Sequence, residues 1–189
     1  MVTGATVGGN NMLLSKFIPF RIRQRLKISK ARRMGVKIGE RCCLICGLFS
    51  FGTEPYLISI GNDCTITGGV IFLTHDGGIE VINHLKHTNY DKIGLIHVGD
   101  NVFIGNDAKI LMGVNVGNNV IIGAGSVVTK DVPSNMVVAG VPAKVICSIE
   151  DFYSKNRYRL FPTRNLSSKQ KKAFLIQEQA KGAFKNGDL

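Results

Sequence analysis

A six-residue repeat in the middle of the chain predicts an all-β fold, a left-handed parallel β-helix. From Val98 onward every sixth residue is β-branched and aliphatic, and a small or β-branched residue stands four places after each one. The aliphatic series is Val98, Ile104, Ile110, Val116, Ile122 and Val128. This period fits neither an α-helix nor a simple strand, and it indicates a chain that coils through three short faces, with about 18 residues to the coil. Hexapeptide helices of this kind wind left-handed, unlike ordinary parallel crossovers.

We expect four coils, of which the first is irregular near Gly52–Tyr56. Their bounds are Ile38–Ser59, Ile60–Gly77, Val98–Asn115 and Val116–Pro133. The corners of such coils need left-handed backbone, which glycine and asparagine adopt most readily. The asparagines expected at corners are Asn62, Asn101, Asn118 and Asn119.

Segments without the repeat flank and interrupt the β-helix. Between Gly77 and Ile96 the period fails, and a loop of this length leaving a regular fold is more often functional than idle. Helices are expected at Leu13–Met34 with a break at Pro19, at Ile149–Leu160 and at Ala173–Ala183. The predicted organisation is a disordered leader at 1–12, a basic N-terminal helical segment at 13–34, a β-helix domain at 35–147 with its loop insertion at 77–96, and a basic C-terminal helical extension at 148–189.

The net charge of +11 lies at the two ends of the chain. Residues 13–33 hold eight basic residues and no acidic one, and residues 155–189 hold nine basic against two acidic. Such clusters suit an anionic membrane, a nucleic acid or an acidic polymer, or else form solvated helical faces. No stretch reaches the ~20 apolar residues of a membrane span, no secretory signal is evident, and the five cysteines are an odd number. We therefore expect a cytoplasmic protein.

Two motifs resemble a known family. The run IGAGSVVTKDVPSNMVVAGVPAKVI at Ile122–Ile146 is similar to the closing signature of the hexapeptide acyltransferase superfamily. The resemblance covers roughly Ile60 to Ile146 and is nearest to the sugar-acetylating branch, which includes maltose and galactoside acetyltransferases. THDGG at Thr74–Gly78 matches the place where that branch keeps its catalytic histidine. The resemblance implies a homotrimer with active sites between neighbouring prisms, and O-acetyl transfer from acetyl-CoA to a sugar hydroxyl, in a surface polysaccharide or its precursor.

His75 also qualifies as the catalytic base on chemical grounds. A hydroxyl is a poor nucleophile near neutral pH, and an imidazole is the natural group to take its proton. His75 follows the inward Phe72 by three residues, so its side chain should point outward, with Gly113 directly above it. For the group that orients the imidazole we favour a backbone carbonyl or another acid such as Glu80, since Asp76 is adjacent on the strand and should face the other way.

The resemblance also implies a site for the acyl donor. The positions equivalent to Asn106 and Ala124 line the groove for the pantetheine arm, and with Gly68 they share one column of the coils. Thr129, Lys130 and Lys144 match family positions that meet the CoA phosphates, a task for which lysine suits as a mobile point charge.

Other functions compete with this prediction. The acceptor could be an amine, as in N-acetylation of an amino sugar or a nucleotide-linked amino sugar. Prisms of this kind also serve as zinc-dependent carbonic anhydrases or as inert scaffolds. Zinc catalysis needs three converging protein ligands, whereas His84 and His87 lie in the insertion and Cys42, Cys43 and Cys46 lack a second pair, so no metal is expected. We expect no nucleic-acid partner. For the basic ends, weak peripheral contact with the inner face of the membrane competes with simple capping of the first coil.

Overall fold

The computed structural model describes residues 19–183 and contains a parallel β-helix of three sheets. The first sheet holds β1 (Lys37–Ile38), β3 (Ile58–Ile60), β6 (Ile96–Val98) and β9 (Asn115–Val116). The second holds β2 (Cys43–Leu44), β4 (Thr65–Ile66), β7 (Val102–Ile104), β10 (Val120–Ile122), β12 (Met136–Gly140) and β13 (Ala143–Ser148). The third holds β5 (Ile71–Leu73), β8 (Lys109–Leu111) and β11 (Val127–Val128). Strands one coil apart pair in parallel, so the predicted coiling is confirmed.

The repeat positions form columns in the core. Ile66 pairs with Ile104, which pairs with Ile122, and all three are fully buried. Cys64, at the small-residue position, is buried too, and its Sγ donates to Gly99 O at 3.1 Å. Because parallel strands stack equivalent residues about 4.8 Å apart, each inward aliphatic covers the one in the next coil. The six-residue repeat thus produces a continuous core.

The corners follow the prediction only in part. Asn101 and Asn119 have φ of 55°, as expected, and the Asn101 amide donates to Asn119 Oδ1 at 2.8 Å. The left-handed residue of the earlier coil is Asp63, with φ of 57°, and the prediction for Asn62 and Asn118 is wrong. These two asparagines precede the left-handed residue and instead accept a backbone N–H of the neighbouring coil, Asn62 from Glu40 and Asn118 from Asp100.

Three departures from the repeat shape the surface. In the first coil, two 3₁₀ turns at Leu48–Phe51 and Pro55–Leu57 replace the third strand. After β5 the insertion contains the helix α2 (Ile79–Lys86). After the fourth coil, β12 and β13 form an antiparallel hairpin that continues the second sheet.

Helices flank the β-helix, as predicted. The N-terminal helix α1 (Phe20–Arg33) begins directly after Pro19, and the predicted leader at 1–12 lies outside the described residues. Contacts divide the chain after Ile149, and the C-terminal unit is a body of its own. The helix α3 (Ile149–Asn156) ends four residues earlier than predicted and passes into a 3₁₀ turn. The helix α4 (Ser168–Ala180) begins five residues earlier than predicted, because Ser167 and Gln170 form a capping box.

Candidate active site

His75 lies where the insertion leaves and rejoins the β-helix. It forms an antiparallel bridge with Ile93 on the returning segment. Asp76 N donates to Lys92 O and Gly94 N donates to Thr74 O, both at 2.9 Å, so the two ends of the insertion are tied together on either side of the histidine. The His75 side chain is 46% exposed. Its backbone is therefore fixed while its ring remains open to solvent.

The irregular face of the first coil brings a carboxylate to this histidine. The ring of Phe51 stacks on that of Phe72 with centroids 5.6 Å apart, which packs the first 3₁₀ turn onto β5. The chain then turns at Gly52, where φ is 62° and glycine is favoured. Glu54, two residues later, reaches His75 with its Oε2 at 2.8 Å from Nδ1.

Two hydroxyl groups hold the Glu54 carboxylate. Thr53 Oγ1 donates to Oε1 at 2.6 Å, and the buried Thr74 Oγ1 donates to Oε2 at 2.8 Å. Together with His75 they lower the pKa of Glu54 to about 2, the Thr53 hydrogen bond contributing most. Hydrogen bonds to the charged form of a carboxylate favour that form. Glu54 is therefore ionised at neutral pH.

The ionised carboxylate selects the tautomer of His75. A carboxylate can only accept hydrogen bonds, so Nδ1 of His75 must carry the proton that it donates to Glu54. In the neutral imidazole the other nitrogen then holds a free lone pair. Nε2 of His75 is thus the atom that can take a proton from a substrate, and the arrangement meets the geometric requirement for an oriented general base.

The acid that pairs with His75 is Glu54 and not Glu80, the example named from the sequence, and Gly113 is not the neighbour of His75. Glu80 contacts His84 Nε2 at 3.1 Å, and Asp76 pairs with Lys92 Nζ at 2.8 Å. Gly113 donates its N–H to Leu95 O, so the returning segment of the insertion lies between it and the Thr74–His75 strand. Coil register alone does not place Gly113 over His75, because the last residues of the insertion pair with the coil on both sides.

The sequence did carry a signal for Glu54. Lys37 pairs with Ser59 and Cys43 pairs with Thr65, so the first and second coils are offset by 22 residues. Counting back by that offset from His75 leads to Thr53, next to Glu54. The irregularity at Gly52–Tyr56 drew attention away from this register.

The insertion is held by a buried side chain at its centre. Asn83 Nδ2 donates to Tyr90 O at 2.8 Å, and Asn83 Oδ1 accepts from Tyr90 N and from Thr88 Oγ1 at 3.0 Å each. His84 points to solvent with 78% of its side chain exposed, and His87 closes α2 in a left-handed conformation. Neither histidine shares the Glu54 site.

The residues expected for the acyl donor lie along the corner between the second and third sheets. Asp107 N donates to Gly68 O at 3.0 Å and Gly125 N donates to Asn106 O at 2.7 Å, so Gly68, Asn106 and Ala124 stack in one column as predicted. Asn106 and Ala124 are exposed, and a side-chain carbon built on Gly68 would meet nothing within 4 Å. The column therefore faces solvent in a single chain.

Of the residues expected to meet the CoA phosphates, Lys144 stands near one end of this column, whereas Thr129 and Lys130 lie at the next corner, after β11. Lys144 pairs with Ala139 in the β12–β13 hairpin, and a side-chain carbon on Gly123 would come within 2.8 Å of the Ala139 side chain. Ala139 thus lies beside Gly123, the residue before Ala124, and Lys144 lies one strand further on. Thr129 and Lys130 are exposed directly after β11, and the structure gives neither of them a contact with Lys144.

Comparison with known proteins agrees with this architecture. The family model described as the hexapeptide repeat of succinyl-transferase matches residues 96–130. Protein CapG of Staphylococcus aureus is 46% identical over 158 residues, covering 83% of this chain and 91% of CapG. The chain belongs to the hexapeptide-repeat acetyltransferase superfamily. Within it, galactoside O-acetyltransferase of Escherichia coli is 36% identical over 118 residues, covering 54% of this chain and 58% of that protein.

Solved structures of the superfamily share the fold. A galactoside acetyltransferase in complex with coenzyme A aligns with a TM-score of 0.51 and 30% identity, over 71% of this chain and 64% of its own. A hexapeptide-repeat acetyltransferase of Vibrio cholerae aligns with a TM-score of 0.51 and 22% identity, over 77% of this chain and 93% of its own. The left-handed parallel β-helix and the acyltransferase class predicted from the sequence are thereby confirmed.

No group of three or more His, Cys, Asp or Glu side chains within residues 19–183 is placed to hold a metal ion. Among the helices described, none has the length and apolar character needed to cross a membrane.

Proposed function

We propose that this acetyltransferase moves an acetyl group from acetyl-CoA to a hydroxyl of a sugar, with His75 as general base and Glu54 as the residue that orients it. The observation that carries the proposal is the hydrogen bond from His75 Nδ1 to Glu54, which leaves Nε2 free on an exposed ring. An acceptor hydroxyl within hydrogen-bond distance of Nε2 would give up its proton as it attacks.

His75 alone can carry out both proton transfers of the reaction. The hydroxyl oxygen bonds to the acetyl carbon while its proton passes to Nε2 of His75, and the carbonyl oxygen becomes negatively charged. The carbon–sulfur bond breaks as the carbonyl re-forms, and the imidazolium returns the proton to the departing CoA thiolate. Glu54 is negatively charged throughout and stabilises the imidazolium, because a carboxylate next to a cation favours the charged form.

For the acyl donor we propose a groove beside the Asn106–Ala124 column, with Thr129, Lys130 and Lys144 towards the CoA phosphates. The exposure of these residues is compatible with that role, and the galactoside acetyltransferase structure at 30% identity is a complex with coenzyme A. Lysine binds phosphate as a point charge and needs no fixed geometry.

The proposal has three further parts. The acceptor sugar belongs to a surface polysaccharide or its precursor, the protein is a homotrimer, and it is located in the cytoplasm. Support for the acceptor comes from galactoside O-acetyltransferase, which is 36% identical over 118 residues. Support for the trimer comes from apolar side chains left exposed on the β-helix and its insertion, among them Leu95 at 67% and Phe103 at 43%.

The test is the mass and chemistry of the product. Purified protein is incubated with acetyl-CoA and, in parallel, with neutral oligosaccharides and with amino sugars of the same ring type. We expect one acetyl mass added to a neutral sugar in a linkage that mild alkali removes, since esters are labile and amides are not. An alkali-stable product formed on amino sugars alone would instead establish the N-acetyl alternative.

A further inference from the structure

The inward face of α1 caps the first coil. Ala31 is fully buried, and Gln24 Oε1 accepts the Leu44 N–H at 2.8 Å. Lys27 Nζ donates to Cys46 O at 3.0 Å, and the Arg32 guanidinium donates to Ile38 O at 2.8 Å. These polar side chains satisfy backbone groups at the open end of the β-helix. One side of α1 therefore caps the first coil.

The opposite face of the same helix is exposed and carries aliphatic side chains. At about 100° per residue, Ile22 and Leu26 lie on the side of α1 facing away from Gln24 and Ala31. Ile22 is 49% exposed and Leu26 is 52% exposed. Nothing in the described part of the chain covers this face, which capping alone does not explain.

Cations flank the exposed aliphatic residues on both sides. By helical position Arg25 borders them on one side, and Arg23 and Lys30 border them on the other, with all three side chains exposed. The helix contains seven basic residues and no acidic one. On the side of Arg25, a cavity of about 890 Å³ between α1 and the first coil is also lined by Arg21, Arg33 and Glu40.

We infer that the outward face of α1 binds the surface of an anionic lipid bilayer. A soluble phosphate ligand would use the arginines but would gain nothing from exposed aliphatic side chains. A bilayer interface offers both partners, because anionic headgroups attract the cations while the headgroup boundary accepts apolar side chains. The same helix then joins the β-helix to the membrane surface, with Gln24 and Ala31 facing inward and Ile22 and Leu26 facing outward.

The test is flotation of the full chain with vesicles. One vesicle contains phosphatidylcholine alone and the other contains phosphatidylcholine with phosphatidylglycerol, each at low and at high salt. We expect binding to the anionic vesicle at low salt only, since salt screens exposed charges. Replacing Arg23, Arg25 and Lys30 with glutamine should weaken binding about fivefold for each cation, roughly a hundredfold in all. Ile22→Ser with Leu26→Ser should also weaken it at unchanged net charge.

A charge-matched control separates this face from net charge. Replacing Lys169, Lys171 and Lys172 of α4 with glutamine removes the same number of cations from another helix, and glutamine keeps a similar helix propensity. We expect this variant to bind vesicles like the unmodified chain. All variants are first checked for an unchanged circular dichroism spectrum and melting temperature.

Several outcomes would overturn the inference. Equal loss in the α4 variant would assign binding to net charge alone. Binding to duplex DNA with no binding to anionic vesicles would assign the face to nucleic acid. A change of mass in sedimentation caused by Ile22→Ser with Leu26→Ser would assign it to contact between copies of the chain. Unchanged flotation of the α1 variants would show directly that this face does not bind the vesicles.

Discussion

Two substitutions of Glu54 should disturb His75 differently: Glu54→Gln changes its tautomer, and Glu54→Ala only removes its hydrogen bond. In Glu54→Gln the side chain keeps its length, but its amide NH₂ can donate to Nδ1 and so favours the tautomer with the proton on Nε2. That tautomer cannot take a proton from the acceptor, so we expect kcat to fall by the whole contribution of a general base, about 10²- to 10⁴-fold. The substitution leaves the hydroxyls of Thr53 and Thr74 in place to hold the new amide.

Glu54→Ala should be milder than Glu54→Gln. The alanine removes one charge-assisted hydrogen bond to Nδ1, about 1.5–3 kcal/mol, which corresponds to roughly ten- to hundredfold in rate. Without a fixed donor the ring still samples the productive tautomer, and Thr53 Oγ1 lies 3.5 Å from Nδ1.

The assay for both variants is the initial rate of CoA thiol release at saturating acetyl-CoA and acceptor. The predicted order of kcat is unmodified chain, then Glu54→Ala, then Glu54→Gln, with the KM for acetyl-CoA unchanged because Glu54 lies outside the proposed donor groove. Glu54→Gln retaining the full kcat would refute the orienting role. A reversed order of the two variants would refute the tautomer argument.

Three further predictions concern stability, the insertion and assembly. The pKa of Glu54 falls from 4.5 to about 2 on folding, so its stabilising effect is complete above about pH 4.5 and is lost as the pH falls towards 2. The melting temperature of Glu54→Gln should therefore fall less steeply over that window than that of the unmodified chain, and parallel curves would contradict this. Asn83→Leu leaves the Tyr90 backbone groups without their partner, so trypsin should cut faster at Lys86 and Lys92, and an unchanged cleavage rate would contradict the anchoring role. Sedimentation at micromolar concentration should give three times the 20.6 kDa of one chain, and a stable monomer would refute the trimer.

The repeat made most of the β-helix predictable. A period of six with β-branched residues at inward positions leaves few alternatives, and columns such as Ile66, Ile104 and Ile122 lie where the period places them. Local corner conformations were less predictable, because Asn62 and its neighbour Asp63 are both polar and either could take the left-handed position. In the structure Asp63 has the left-handed conformation, and the Asn62 side chain accepts an N–H from the neighbouring coil.

Part of the active site was predictable and part was not. His75 follows an inward phenylalanine at the mouth of an insertion, so the repeat itself exposes it. Glu54 lies in a stretch where the repeat breaks, and its approach to His75 depends on the packing of Phe51 on Phe72. Glu80 is closer in sequence to His75, but it lies on α2 and pairs there with His84. Distance along the chain was therefore a poor guide to the orienting residue, whereas the offset between coils leads to Thr53, the residue next to it.

The most direct test of the account is the acceptor-dependent rate of CoA release by His75→Gln beside a matched control, His84→Gln. Glutamine cannot serve as a base at either position, but His84 pairs with Glu80 on the exposed side of α2, away from Glu54. The account predicts that His75→Gln loses about 10²- to 10⁴-fold in kcat with unchanged CoA binding and melting temperature, and that His84→Gln keeps nearly all of its activity. Near-normal turnover in His75→Gln would contradict the account.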